Sequence, residues 1–134
     1  MVRLIMRERE RVVILGAGFG GLMTAIHLAK RTSKKAVDIV VIDKSDEHVY
    51  TPWLYRVPAD VLSGRTSSAA RNCHFTFKEI LAPFADRIEF RNAEVSSVNV
   101  ETSYVLLTNG STVQYDYLVV ALGSETAYYG IERT

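Results

Sequence analysis

Two kinds of apolar pattern alternate along this chain, and together they predict its elements. Val12-Val13-Ile14-Leu15 is an unbroken apolar run rich in β-branched residues, as in a parallel strand buried on both faces. Beyond the glycine-rich Gly16-Ala17-Gly18-Phe19-Gly20-Gly21 the period changes. Leu22, Ala25, Ile26 and Ala29 recur at i, i+3, i+4 and i+7, which predicts a helix from Gly20 onward with one apolar stripe. Lys30 and Arg31 close that helix, where cations complement its dipole. After the polar break Thr32-Ser33-Lys34-Lys35, Val37-Asp38-Ile39-Val40-Val41-Ile42 predicts a second buried strand, so these segments form a βαβ unit.

Residues 44–64 are less regular, with Pro52 and Pro58 restricting helix and Gly64 ending the stretch. Within them Tyr50-Thr51-Pro52-Trp53-Leu54-Tyr55 has two readings, a loop that walls a flat ring system or aromatic filling for a core. Ser63 to Asn72 is small, polar and expected to be a mobile connection. Thr76 predicts the cap of a short helix through Phe77, Ile80 and Leu81, with Glu79 as its capping-box partner and Pro83 as its limit. Ile88-Glu89-Phe90 reads as a third parallel strand. Val95–Val100, Tyr104–Thr108 and Thr112–Tyr115 then alternate in the manner of an antiparallel meander, the last two strands joined through Asn109-Gly110. Tyr117 to Leu122 is again apolar and ends in Gly123. The expected fold is α/β: a Rossmann-like parallel sheet with helices plus a three-stranded antiparallel β-meander.

Length and charge narrow the picture. At 134 residues, with 48% hydrophobic and 23% charged, the chain supports one domain with a real core and has no room for a second complete one. Sixteen Lys and Arg against fifteen Asp and Glu leave a formal charge of +1, which provides no footprint for nucleic acid. Cys73, the one cysteine, has no partner for an internal disulfide; a structural role is favoured over a reactive thiol beside His74, because adjacent side chains seldom meet productively. Three scattered histidines have no metal-ligand spacing, so no metal is expected. Arg3 interrupts the apolar Val2, Leu4, Ile5 and Met6, and a charged run follows, which is too short a core for a signal peptide. With no apolar run near the roughly 20 residues of a membrane span, a cytoplasmic protein is expected.

The chemistry lies in the glycine turn and what stands in register with it. In G-x-G-x-x-G, Gly16 permits the turn out of the strand, Gly18 lets backbone approach a diphosphate, and Gly21 lets helix and strand pack closely. The helix that follows turns free N–H groups and its positive dipole end toward an anion. Asp43, just after the second strand and about 20 residues past the motif, is placed to accept the ribose hydroxyls of an adenosine and disfavours a 2′-phosphate. A nicotinamide-type Rossmann half would more usually continue with a helical crossover where the meander stands, which favours a flavin. Gly123 and Ser124, at the carboxyl end of the last strand, are expected beside the glycine turn.

These features resemble the FAD-binding start of the two-dinucleotide-domain flavoprotein oxidoreductases, and among them the type II NADH dehydrogenases, which are non-pumping NADH:quinone oxidoreductases. The resemblance rests on Val-Ile-Leu-Gly-Ala-Gly-Phe-Gly-Gly-Leu at 13–22, on Asp43-Lys44 with His48 downstream, and on Thr51-Pro52-Trp53-Leu54-Tyr55. It rests also on Tyr115-Asp116-Tyr117-Leu118-Val119-Val120-Ala121-Leu122-Gly123-Ser124 running on to Tyr129-Gly130-Ile131. The first is common to the superfamily; the third and the Gly-Ser-x-Thr-x-Tyr-Tyr-Gly-Ile ending are narrower. Leu122, where the family usually has threonine, and Trp53, where leucine is commoner, depart from the pattern and leave open the sulfide:quinone oxidoreductase branch, whose chemistry relies on redox cysteines.

The resemblance implies that Gly16, Gly18, Phe19, Gly20 and Gly21 hold the FAD diphosphate, that Asp43 binds the adenosine ribose and that Lys44 flanks the adenine. It further implies a backbone contact from Val95 to adenine, a cofactor wall at Ala121 and Gly123, and an approach of Thr51 and Pro52 to the isoalloxazine ring. No side chain is assigned as a catalytic acid, base or nucleophile, because the flavin itself takes the hydride. Residues 1–134 are expected to be an FAD-binding fragment, with the NAD-binding and C-terminal domains absent. Alone it is expected to be inactive and prone to self-association. The full-length enzyme would take NADH and quinone and sit peripherally on the cytoplasmic face of a membrane. A non-catalytic nucleotide-sensing Rossmann module is the alternative from another class.

Overall fold

The computed structural model describes residues 9–50, 62–64 and 74–124. The readings made for Thr51, Pro52, the aromatic stretch from Thr51 to Tyr55, Cys73 and the Tyr129-Gly130-Ile131 ending lie outside them. The apolar run that opens the chain becomes β1 (Glu10–Leu15), followed by α1 (Phe19–Arg31) and β2 (Val37–Asp43). A short antiparallel pair follows, β3 (Glu47–Val49) with β4 (His74–Thr76), and then α2 (Phe77–Leu81) with a 3-10 turn at Ala82–Phe84. β5 (Ile88–Asn92), β6 (Val95–Asn99), β7 (Tyr104–Leu107), β8 (Thr112–Gln114) and β9 (Tyr117–Val120) complete the described elements.

β5, β2, β1 and β9 hydrogen-bond in that order as a four-stranded parallel sheet, the arrangement of a Rossmann half with the chain's first strand at its centre. Because side chains alternate across a strand, each apolar run feeds two cores. Val12, Ile14, Ile39, Val41 and Ile88 meet Leu22, Ala25 and Ala29 of α1 and Phe77 and Leu81 of α2. Val13, Leu15, Val40 and Ile42 meet Val105, Leu107, Val113 and Tyr115 of the β6-β7-β8 sheet. The meander is therefore the third layer, covering the sheet face that α1 leaves open. It supplies for one face what a helical crossover would have supplied, and so explains how continuous apolar strands stay buried on both sides.

Each expected element is present, and its ends move by at most a few residues. The turn at Asn109-Gly110 closes with Gly110 N–H donating to Leu107 O at 3.0 Å and Leu107 N–H donating to Ser111 O at 2.9 Å. The β3–β4 pair was not anticipated, since residues 44–64 read as irregular. Three-residue strands show no legible alternation, and the partners stand far apart in sequence. Phe77 N–H donates to Asp46 O at 3.0 Å, which ties this pair to the start of α2.

The two edges of the parallel sheet, among the described residues, differ in character. β5 carries Glu89 and Arg91, paired at 2.6 Å, whereas Tyr117-Leu118-Val119-Val120 in β9 carries no charge and leaves Tyr117 and Val120 exposed. Charge is one of the usual means of guarding an edge strand, so β5 is protected in this way and β9 is not.

At α2 the capping box is fully formed. Glu79 N–H donates to Thr76 Oγ1 at 3.2 Å, while Thr76 N–H and Oγ1–H donate to Glu79 Oε2 at 3.1 and 2.8 Å. The Thr76 hydroxyl first, and its backbone N–H second, favour the ionised carboxylate and hold Glu79 below the usual value. A depressed folded-state value means that the box stabilises α2 above the unfolded carboxylate range and loses that contribution as pH falls through the folded value. Protection of the amides at residues 77–81, taken relative to the intrinsic exchange rate at each pH, is expected to fall on acidification through that window, and Glu79→Gln is expected to flatten that pH dependence.

Candidate functional site

At the carboxyl ends of the parallel strands, main-chain bonds draw four segments together. Gly16 N–H donates to Ile42 O at 2.8 Å, Ala93 N–H to Asp43 O at 2.9 Å, and Ala121 N–H to Leu15 O at 2.8 Å. Gly16 has φ +94°, a conformation that disfavours any residue with a Cβ, and a Cβ there would run into the Ala121 carbonyl, 2.7 Å from its carbon. At Gly21 a Cβ would collide with the carbonyl oxygen of Gly16. These two glycines let strand, turn, helix and β9 converge. Gly18 serves differently: it is exposed, in extended backbone, and a Cβ there would meet nothing within 4 Å.

α1 begins immediately after Gly18 with neither a capping side chain nor an acidic residue in its first turn. The amides of Phe19, Gly20 and Gly21 have no carbonyl one turn back to bond, and they stand at the positive end of the dipole. On the other side of the turn the half-buried carboxylate of Asp43 accepts from Ala17 N–H at 2.6 Å through Oδ2 and from Ser45 N–H at 2.9 Å through Oδ1. A carboxylate has about four acceptor positions, so about two remain for hydroxyl donors.

Beside Asp43 and the first glycine of the turn lies an open cleft of about 450 Å³, lined by Gly16, Ile42, Asp43, Lys44, the Ala93–Ser96 junction and Leu122 to Ser124. Its size suits a small-molecule site, and its lining combines apolar Ile42, Val95 and Leu122 with the polar Asp43, Lys44 and Ser96. The arrangement can accept hydroxyl donors at Asp43, hold a flat apolar group against Ile42, Val95 and Leu122, and face an anion with the α1 terminus.

Of the residues singled out from sequence, Gly16, Asp43, Lys44, Val95 and Gly123 line this cleft, and Ser124 joins them beside the glycine turn as expected. Gly18, Phe19 and Gly20 stand exposed at the helix start, whereas Gly21 is buried beneath it. Ala121 is half-buried and serves through its backbone against Gly16. Phe19 turns its ring away toward His48 and Tyr50. Sequence reasoning missed Ile42, Ala93, Glu94, Ser96 and Leu122 as lining residues. The available signal was register: β5 pairs with β2 up to Asn92 opposite Asp43, so whatever follows Asn92 must pass the acid. Asn92 reinforces this junction, its side-chain amide donating to Lys44 O at 3.0 Å.

Comparison with known proteins agrees with this geometry. Residues 10–133 match the family model described as pyridine nucleotide-disulphide oxidoreductase. Over 130 residues the chain is 32% identical to a type II NADH:quinone oxidoreductase of Staphylococcus haemolyticus, covering 93% of this chain and 29% of that protein. The sulfide:quinone oxidoreductase of Aquifex aeolicus has a similar structure, with TM-score 0.70 and 26% identity over 89% of this chain and 25% of that one. So does NDH2 of Plasmodium falciparum, solved in complex with NADH, with TM-score 0.65 and 24% identity over 93% of this chain and 24% of that one. The chain thus spans under a third of the length of these relatives.

The glycines separate experimentally. Gly21→Ala is expected to lower folding stability by about 3 kcal/mol, the upper range for an overpacked site. Gly18→Ala is expected to cost no more than about 1 kcal/mol, the usual penalty of an alanine at a helix cap. Chemical denaturation of the two variants checks this order.

Proposed function

Because this chain belongs to the pyridine nucleotide-disulphide oxidoreductase family, we propose that it is the FAD-binding part of a flavoprotein that passes electrons from NAD(P)H through FAD to a quinone. The observation that carries the reading is Asp43, with acceptor positions free on a cleft that Gly16 also lines, and the glycine turn that leads from Gly16 directly into the uncommitted amides at the start of α1. That pairing fits an adenosine diphosphate, sugar hydroxyls to the carboxylate and phosphates to the helix start. The name of the staphylococcal relative supports NADH and quinone as the substrates of the whole protein.

On this reading Gly16, Gly18, Phe19, Gly20 and Gly21 hold the diphosphate, Gly16 by shaping the turn while its own N–H stays on Ile42 O, and the amides at the start of α1 by donating to the phosphates. Asp43 orients the ribose and opposes a 2′-phosphate by charge, and Lys44 flanks the adenine. The backbone at Val95 meets the adenine edge, while Ala121 and Gly123 close the wall near β9. Thr51 and Pro52 are assigned to the ring end of the site. FAD, when bound, supplies the hydride and electron chemistry, so the residues of this chain bind and orient and none is assigned as acid, base or nucleophile. The 134-residue chain by itself is assigned binding without NADH:quinone turnover. No helix among the described residues is long and apolar enough to cross a membrane; the full-length protein is proposed to be cytoplasmic and peripheral to the membrane that holds its quinone.

A sulfide:quinone oxidoreductase is the second reading, supported by the likeness to the Aquifex structure. Its chemistry calls for redox cysteines, and Cys73 is the one cysteine here. NADH against sulfide as reductant of the full-length protein discriminates the two.

Titration followed by flavin fluorescence tests the binding assignment. Saturable FAD binding is expected, weakened roughly tenfold to a hundredfold by Asp43→Ala, the range for losing charge-assisted hydrogen bonds. Absence of saturable binding overturns the reading, and preferential binding of NAD over FAD replaces it with a nucleotide-sensing module. The uncharged β9 edge supports self-association of the 134-residue chain. Sedimentation is expected to show concentration dependence that Val120→Lys abolishes.

A further inference from the structure

Four residues carry the anion-facing start of α1, Gly18-Phe19-Gly20-Gly21, and three of them have no side chain. Glycine has the most backbone freedom to lose, and the first turn of a helix is where its own hydrogen bonds are missing. This start also lacks a capping side chain. Within these four residues, packing can restrain the turn through one side chain alone, that of Phe19.

The Phe19 ring, about half exposed, stands edge-on to His48 with centroids 4.9 Å apart and to Tyr50 at 5.7 Å. His48 lies 6.2 Å from the ring of Phe77, and Phe77 lies 4.9 Å from Phe90. Phe77 is fully buried in the core beneath α1, and the Thr76–Glu79 box fixes the helix that carries it. A line of rings therefore runs from β5 through α2 and β3 to the first residue of α1, and ends at the amides assigned to the diphosphate.

We infer that this ladder, Phe19–His48–Phe77–Phe90, aims the first-turn amides of α1 at the diphosphate, which makes Phe19 and His48 positioning residues of the nucleotide site. Neither side chain needs to touch the ligand. Edge-on aromatic pairs hold a ring in direction as well as depth, whereas the adenosine end depends on Asp43 and Val95, outside the ladder. The ladder thus acts on the phosphate end selectively. The inference rests on the diphosphate reading of the cleft.

ADP and adenosine, competed against FAD fluorescence, separate the two ends. Phe19→Ala is expected to weaken ADP roughly fivefold to tenfold, the order for losing one or two aromatic pairs, and to leave adenosine within about twofold. His48→Ala is expected to act in the same direction, and the double variant to add little, because both break one ladder. Phe19→Tyr, which keeps the ring, is expected to restore ADP affinity. Amide exchange at Leu22, whose N–H donates to Gly18 O at 2.9 Å, is expected to rise in Phe19→Ala while residues 25–29 stay protected.

Equal losses for ADP and adenosine, or unchanged affinity for both with unchanged exchange, overturn the positioning role. A wild-type chain with no preference for ADP over adenosine overturns the diphosphate reading, and the inference with it. The wild-type measurement alone identifies that case.

Discussion

No Cβ can stand at Gly16 or at Gly21, and the rest of the site depends on that exclusion. One glycine lets β9 close against the turn; the other lets α1 descend onto the end of β1. Two carbonyl groups, those of Gly16 and Ala121, occupy the space that side chains would need. The strand ends, the helix start and the last strand thereby meet within hydrogen-bonding reach of one another. A cleft forms because the backbone is close here and side chains stand back.

Asp43 joins the wall of that cleft to the turn. Its carboxylate reaches Ala17 inside the glycine turn and Ser45 on the departing chain, so one side chain ties β2 to the turn while keeping acceptor capacity toward the open side. The residue proposed for binding therefore also ties the fold together. The two uses differ in what they need: the ties use main-chain donors from this protein, whereas the remaining positions face the space where a sugar would lie. The meander acts at longer range. By covering Val13, Leu15, Val40 and Ile42, it keeps the strand ends dry and brings Val95 to the cleft.

Much of this was legible before any coordinates. The unbroken apolar runs of β1 and β2 read as two-sided burial, and of the predicted stripe Leu22, Ala25 and Ala29 are buried in α1 with Ile26 half-buried against the same core. Thr76 and Glu79 form the predicted box, because capping needs only residues three apart. Asp43, Lys44, Val95, Gly123 and Gly16 meet at one cleft. The β3–β4 pair was not legible: three residues cannot display a period, and each strand finds its partner far along the chain, Glu47 opposite Thr76 and Val49 opposite His74. Phe19 was read as a binding residue by its place in the motif, and the direction of its ring was beyond any motif.

By itself the sequence determined whatever a local rule can decide: strand or helix from period, the turn from glycine, the cap from a hydroxyl and a carboxylate, and the acid's place after a strand. Those choices are made by backbone sterics and hydrogen bonds within a few residues. Only the tertiary structure decided which sheet face the meander covers, which junction passes Asp43, and that His48, Phe77 and Phe90 line up behind Phe19. Each of these is a contact between segments far apart in the chain. Apolar burial drives such contacts without direction, so sequence spacing leaves them open, and the packed geometry of the sheet selects among them.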